Sequence, residues 1–87
     1  MTKRTPDETW EWFEDKLTRH GFADAEELAA ALNVGGGTVS RWRTQEAIPR
    51  GENLMKLMNI FEVSIEDLMI AIGQLDRGNE NRVTFSS

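Results

Sequence analysis

Between Asp24 and Trp42 the chain reads DAEELAAALNVGGGTVSRW, and no other stretch constrains its folding as tightly. The first half opens with a helix start: Asp24 is placed to cap the first-turn amides, and Glu27, three residues on, can reach back to the amide of the cap. Leu28, Ala29 and Leu32 then share one face at helical spacing. Asn33 stands where the chain must turn, and asparagine tolerates a left-handed backbone better than any residue except glycine. Past the turn, Val34 can pack inward. A second short helix is expected from about Gly36 or Gly37 to Arg43, with Val39 and Trp42 buried and Thr38, Ser40, Arg41 and Thr44 facing out or sideways. Ala29 marks the crossing of the two helices, where a larger side chain would hold the backbones apart.

Two short helices joined by a tight turn, the second presenting polar side chains, constitute a helix-turn-helix, which makes double-stranded DNA the leading ligand. The flanking sequence supplies three more helices. Thr5-Pro6-Asp7-Glu8 combines a threonine cap, proline at the first helical position and glutamate three residues after the cap. Trp10, Phe13 and Leu17 give that first helix an apolar stripe, and Gly21 stops it. Leu54, Leu57, Met58 and Phe61 repeat at helical spacing in a fourth helix, and Ser64 with Asp67 starts a fifth whose apolar residues are Ile65, Leu68, Met69 and Ile72. The expected class is all-α: an arm over 1–5, a compact domain over 6–75, and a flexible polar tail over 76–87. In that tail Arg82-Val83-Thr84-Phe85 could pair as a strand with a partner's edge.

These residues resemble the Cro and CI repressor-type helix-turn-helix domains, also called XRE-like, of phage repressors and small bacterial regulators. In that family a valine or isoleucine, a polar, a basic and a large apolar residue form the middle of the recognition helix, as Val39-Ser40-Arg41-Trp42 do here. A loop ending in proline leads to a fourth helix, as Ile48-Pro49 leads to Glu52 through Phe61, and the domain closes with a segment like Val63-Ser64-Ile65-Glu66-Asp67-Leu68. The similarity spans about residues 10 to 72. It implies a five-helix lambda-repressor-like domain with the helix-turn-helix at helices 2 and 3. It also implies a transcriptional regulator, most simply a repressor on an operator, acting as a homodimer whose recognition helices enter major grooves about 34 to 36 Å apart. A basic residue after the loop proline, here Arg50, would reach the DNA backbone or the minor groove.

Two features depart from that family. Gly35-Gly36-Gly37 occupies positions that commonly carry base-reading side chains, so direct readout falls chiefly to Arg41 while bare backbone can approach a phosphate closely. Asp24, Glu26 and Glu27 stand where relatives often place a polar or basic residue against phosphate, and no such contact is carried over.

The net charge of −5 weighs against a polyanionic ligand, but its distribution does not. Residues 37 to 58 carry Arg41, Arg43, Arg50 and Lys56 against Glu46 and Glu52, net +2, whereas residues 1 to 36 are net −4 and residues 59 to 87 net −3. The expected DNA-contacting set is Gly36, Gly37, Thr38, Ser40, Arg41, Arg43, Thr44 and Arg50. Arg41 can take guanine O6 and N7 through its planar fork, Thr38 and Ser40 can touch phosphate or a thymine methyl, and Arg43 and Thr44 are placed for phosphates. Each has a rival reading: Arg41 as a solvated ion-pair partner, Thr38 and Ser40 as ordinary surface residues, and Arg43 as complement to the helix dipole. Trp42 continues the Val39 row and belongs to the core.

With no cysteine, disulfides and thiolate zinc sites are excluded, and no metal or other cofactor is implied. No catalytic site emerges. The lone His20 ends the first helix with no nucleophile beside it, and the carboxylates Asp7, Glu8, Glu11, Glu14 and Asp15 read as a solvated face. The triple glycine lacks the lysine of a phosphate-binding loop. The absence of a long apolar run or leader argues against membrane insertion and secretion, so a cytoplasmic protein, nucleoid-associated when bound, is expected. The competing class is a protein-binding module on the same fold, such as an antitoxin, antirepressor or adapter. Trp10 and Trp12 cannot both face one core, and Trp12 together with Met69, Ile70, Ile72 and Leu75 is the expected dimer or partner surface.

Overall fold

A computed structural model describes residues 3–76, which form five α-helices and no strand. They are α1 (Pro6–Arg19), α2 (Ala25–Leu32), α3 (Thr38–Arg43), α4 (Gly51–Phe61) and α5 (Ile65–Ala71). The C-terminal tail, including Arg82-Val83-Thr84-Phe85, lies outside the described residues apart from Asp76.

Three helix starts follow from local chemistry. The Thr5 hydroxyl accepts from the Glu8 amide while the Glu8 carboxylate accepts from the Thr5 amide at 2.9 Å, so both orphan donors are satisfied, and Pro6 costs α1 no hydrogen bond. Asp24 accepts from the Glu27 amide and Ser64 from the Asp67 amide. The Glu27 carboxylate overshoots the expected partner and accepts from the Ala23 amide, one residue before the cap, at 2.6 Å.

At the end of α2, Asn33 adopts φ 61° and ψ 46°, and the Val34 amide bonds back to the Ala29 carbonyl at 3.0 Å. Lys56 of α4 adds a second device, donating to the Leu32 carbonyl at 3.4 Å while it pairs with Glu52.

The core joins Phe13 and Leu17 of α1, Leu28, Ala29 and Leu32 of α2, Val39 and Trp42 of α3, Leu57 and Phe61 of α4, and Leu68 and Ile72 of α5. Ala29 is buried where α2 and α3 pack, as its size requires.

The stripe of α1 differs from the expected one. Trp12, not Trp10, packs inward, meeting Phe13 and Phe61 edge-on at 5.3 and 5.6 Å, whereas Trp10 is 39% exposed. The inward row passes instead through Thr9, fully buried because its hydroxyl donates to the Ala71 carbonyl at 2.6 Å.

A second correction concerns the expected partner surface. Ile70 and Ile72 are each only 2% exposed, and Met69 and Trp12 pack against the core. Leu75 is half-buried. The reason is that α5 ends at Ala71: Ile72 lies in the capping turn, so two isoleucines that an extended helix would point apart both face the core. Among the described residues the exposed large apolar ones are Trp10, Ile48, Met55 and Ile65.

Candidate nucleic-acid interface

The buried pair Val39 and Trp42 anchors α3 against α2 and α1, which leaves one side of this six-residue helix outward. Arg41 stands on that side, exposed, with no ion pair among the described residues. Thr38 and Ser40 are half-buried at its flanks, and Gly36 and Gly37 are exposed at its start. Arg50, exposed and likewise without an ion pair, is the residue before α4.

Electrostatics single out this part of the molecule. The starts of α1, α2 and α5 each have a side-chain cap and two acidic residues in the first turn. The starts of α3 and α4 have no side-chain cap; α3 has no acidic residue in its first turn and α4 has only Glu52, paired to Lys56. A helix start without a side-chain cap leaves its first amides open to an outside anion, although at α3 the Glu26 carboxylate of α2 stands beside Gly36.

The positive charge counted along residues 37 to 58 is not all available. Lys56 is committed to Leu32 and Glu52. Arg43 is committed to α1: its guanidinium lies 3.6 Å from the centre of the Trp10 ring and donates to the Glu14 carboxylate, leaving the side chain 12% exposed. Arg43 was expected to meet phosphates, and the fold packs its side chain against α1. Thr44 is also engaged, its hydroxyl sharing one proton among the Ser40 and Arg41 carbonyls and, at 3.0 Å, the Glu46 carboxylate. The structure thus brings Gly36, Gly37, Thr38, Ser40 and Arg41 together at α3, and leaves Arg41 and Arg50 as the uncommitted cations of residues 37–58.

Sequence reading missed the residues that hold the far end of α3. Gln45, in a left-handed conformation at φ 65°, donates from Nε2 to the Arg4 carbonyl at 2.8 Å and to the Thr9 hydroxyl oxygen at 2.9 Å. Its partners are distant in sequence, so no periodicity or local motif announces them. A left-handed glutamine, unlike the left-handed asparagine at residue 33, has no local sequence sign.

The triple glycine also reads differently in the folded chain. None of the three has a positive φ, and a Cβ on any of them would meet its nearest neighbour at ordinary contact distance, 3.6 to 3.9 Å. The fold of the monomer therefore does not demand glycine there.

Helix packing, turn and outward face together define a helix-turn-helix domain. The bacteriophage CI repressor helix-turn-helix domain family matches residues 16–76, more than half of the chain, and the protein belongs to that family. No curated protein and no solved structure matches it significantly. Family membership makes it a DNA-binding regulator of the repressor type. Among the described residues no helix is long and apolar enough to cross a membrane, and no group of acidic residues and histidine is arranged to hold a metal ion.

Proposed function

We propose that the chain recognises a specific operator in double-stranded DNA through α3 and represses transcription by occupying it. The observation that carries this reading is the coincidence of uncapped helix starts at α3 and α4 with the exposed, unpaired Arg41 and Arg50. Arg41 is the base-reading residue, suited to a guanine edge. Arg50, beside the free amides of α4, meets a backbone phosphate. Bare backbone at Gly36 and Gly37 lets α3 sit close to the groove, with Thr38 and Ser40 at its margins. The protein acts as a two-fold dimer in the cytoplasm, on the nucleoid, through a surface other than Ile70 and Ile72, which are buried within the monomer.

With Arg41 and Arg50 the uncommitted cations of residues 37–58, this face should contribute a slope of log K against log salt no steeper than about −2 per protomer. The protein-binding alternative drew on the triple glycine, the acidic total and one partly exposed tryptophan, expected at Trp12; Trp12 is partly buried against the core, and the exposed tryptophan is Trp10, one face of which Arg43 covers.

Anisotropy titration against DNA upstream of its own gene, at two salt concentrations, tests the proposal. Wild type should prefer that fragment over random duplex, and Arg41→Ala should lose at least about tenfold of the preference. Equal binding of both duplexes by wild type defeats the repressor reading; unchanged selectivity in Arg41→Ala defeats the assignment of Arg41.

A further inference from the structure

We infer that Arg43 is a positioning residue: it clamps the end of α3 to α1 and so fixes the angle at which Arg41 is presented, making no phosphate contact of its own. This rests on the DNA-binding reading above. Residues two apart on a helix point about 200° apart, so Arg41 and Arg43 cannot serve the same face. Arg41 is exposed; Arg43 turns to α1.

There it enters a slot made by Trp10 and Glu14, which stand one helical turn apart on α1. The guanidinium plane takes the indole on its face, the Glu14 carboxylate at Nη1 and the Ser40 hydroxyl at Nη2, 3.5 Å away. Lysine could supply the charge but not a planar group that stacks and forks at once. To reach a phosphate, Arg43 would have to uncover the indole and strand Glu14 beside the DNA, so the clamp and the phosphate contact exclude each other. Ser40 gains a role as well, since its hydroxyl is tied to the clamped guanidinium.

The clamp predicts a sign that simple electrostatics reverses. Neutralising an acidic residue on a DNA-binding protein ordinarily strengthens binding. Here Glu14→Gln should weaken recognition, because it loosens Arg43.

The test uses duplexes that the full-length chain enriches from a random pool, with anisotropy across a salt series and circular dichroism confirming the fold at the assay temperature. Glu14→Gln and Arg43→Gln should each lower the ratio of selected to random affinity roughly fivefold, about what one stacked ion pair supplies, with the salt slope of wild type retained. Arg43→Lys should not restore the ratio. A loss of stability alone would leave that ratio unmoved in protein that is fully folded. Should Arg43→Gln fail to fold, Glu14→Gln decides alone, since the Glu14 side chain is half-exposed.

The inference is overturned if Arg43→Gln flattens the salt slope by about 0.9 while Glu14→Gln binds as well as or better than wild type, the signature of a phosphate contact. An unchanged ratio in both variants overturns it too. If wild type enriches no sequence, the DNA-binding reading falls and the clamp with it, an outcome visible before any variant is made.

Discussion

The two ends of α3 are built on opposite principles. Its start is three glycines, without a side-chain cap or an acidic residue in the first turn, in a backbone conformation any residue could adopt. Its end is riveted: Arg43 to Trp10 and Glu14, and Gln45 to the Arg4 carbonyl and Thr9, which in turn holds the Ala71 carbonyl of α5. Polar side chains fix the end of the helix and are absent from the three residues before its start. A short helix cannot hold its own orientation, because its stability comes from tertiary packing and not from propensity. Anchoring one end leaves the other free to be shaped by what it binds.

If that contrast is correct, the riveted end should be intolerant of small additions. Gly73, at φ 82°, lies against it, and a Cβ there would collide with the Gln45 side chain and stand 3.2 Å from the Arg4 carbonyl oxygen. Gly73→Ala would impose a left-handed alanine and expel Gln45 from its hydrogen bonds, a combined loss of about 2 to 4 kcal/mol. Urea unfolding followed by tryptophan fluorescence measures it. A variant as stable as wild type would remove the rivet from the account.

The next effect down separates the hydrogen bonds of Gln45 from its backbone. Gln45→Ala deletes both donors and retains the left-handed conformation, for a loss of about 1 to 2 kcal/mol. Gln45→Gly deletes the same donors but removes the conformational penalty, and should be about 1 kcal/mol more stable than the alanine variant. Equal stabilities in the same urea series would mean that the backbone at residue 45 stores no strain.

What the sequence disclosed and what it hid divide along a related line. Caps and turns were legible because each is settled within four residues: Thr5 with Glu8, Asp24 with the Glu27 amide, Asn33 in its left-handed turn, Ser64 with Asp67. The Val39 and Trp42 row was legible from spacing alone. The inward face of α1 was misread because a threonine occupies a core position, and Thr9 is tolerable there only through the distant Ala71 carbonyl. The engagement of Arg43 with α1 was hidden for the same reason. Glu14 and Trp10 are ordinary helix-surface residues in one dimension, 29 and 33 positions away, and only folding makes them a slot. The outward face of the candidate interface could be read, and the side chains that aim it could not.

The smallest expected effect lies at the bare end and has the opposite sign. A Cβ on Gly36 would meet the Glu26 carboxylate at 3.8 Å, ordinary contact, and the backbone needs no positive φ. Gly36→Ala should therefore stabilise the monomer by about 0.4 to 1 kcal/mol, mainly by restricting the unfolded chain. If the glycines are there to bring backbone close to a groove, the same methyl should weaken DNA binding even as the melting temperature rises. Thermal unfolding and anisotropy on one protein preparation measure the two quantities together. A variant that gains stability and binds DNA as tightly as wild type would show that close approach at Gly36 is not needed, and binding would then rest on Arg41 for readout and Arg50 for the backbone. A variant that loses stability would show instead that the turn itself requires glycine, and the contrast between the two ends of α3 would be one of degree.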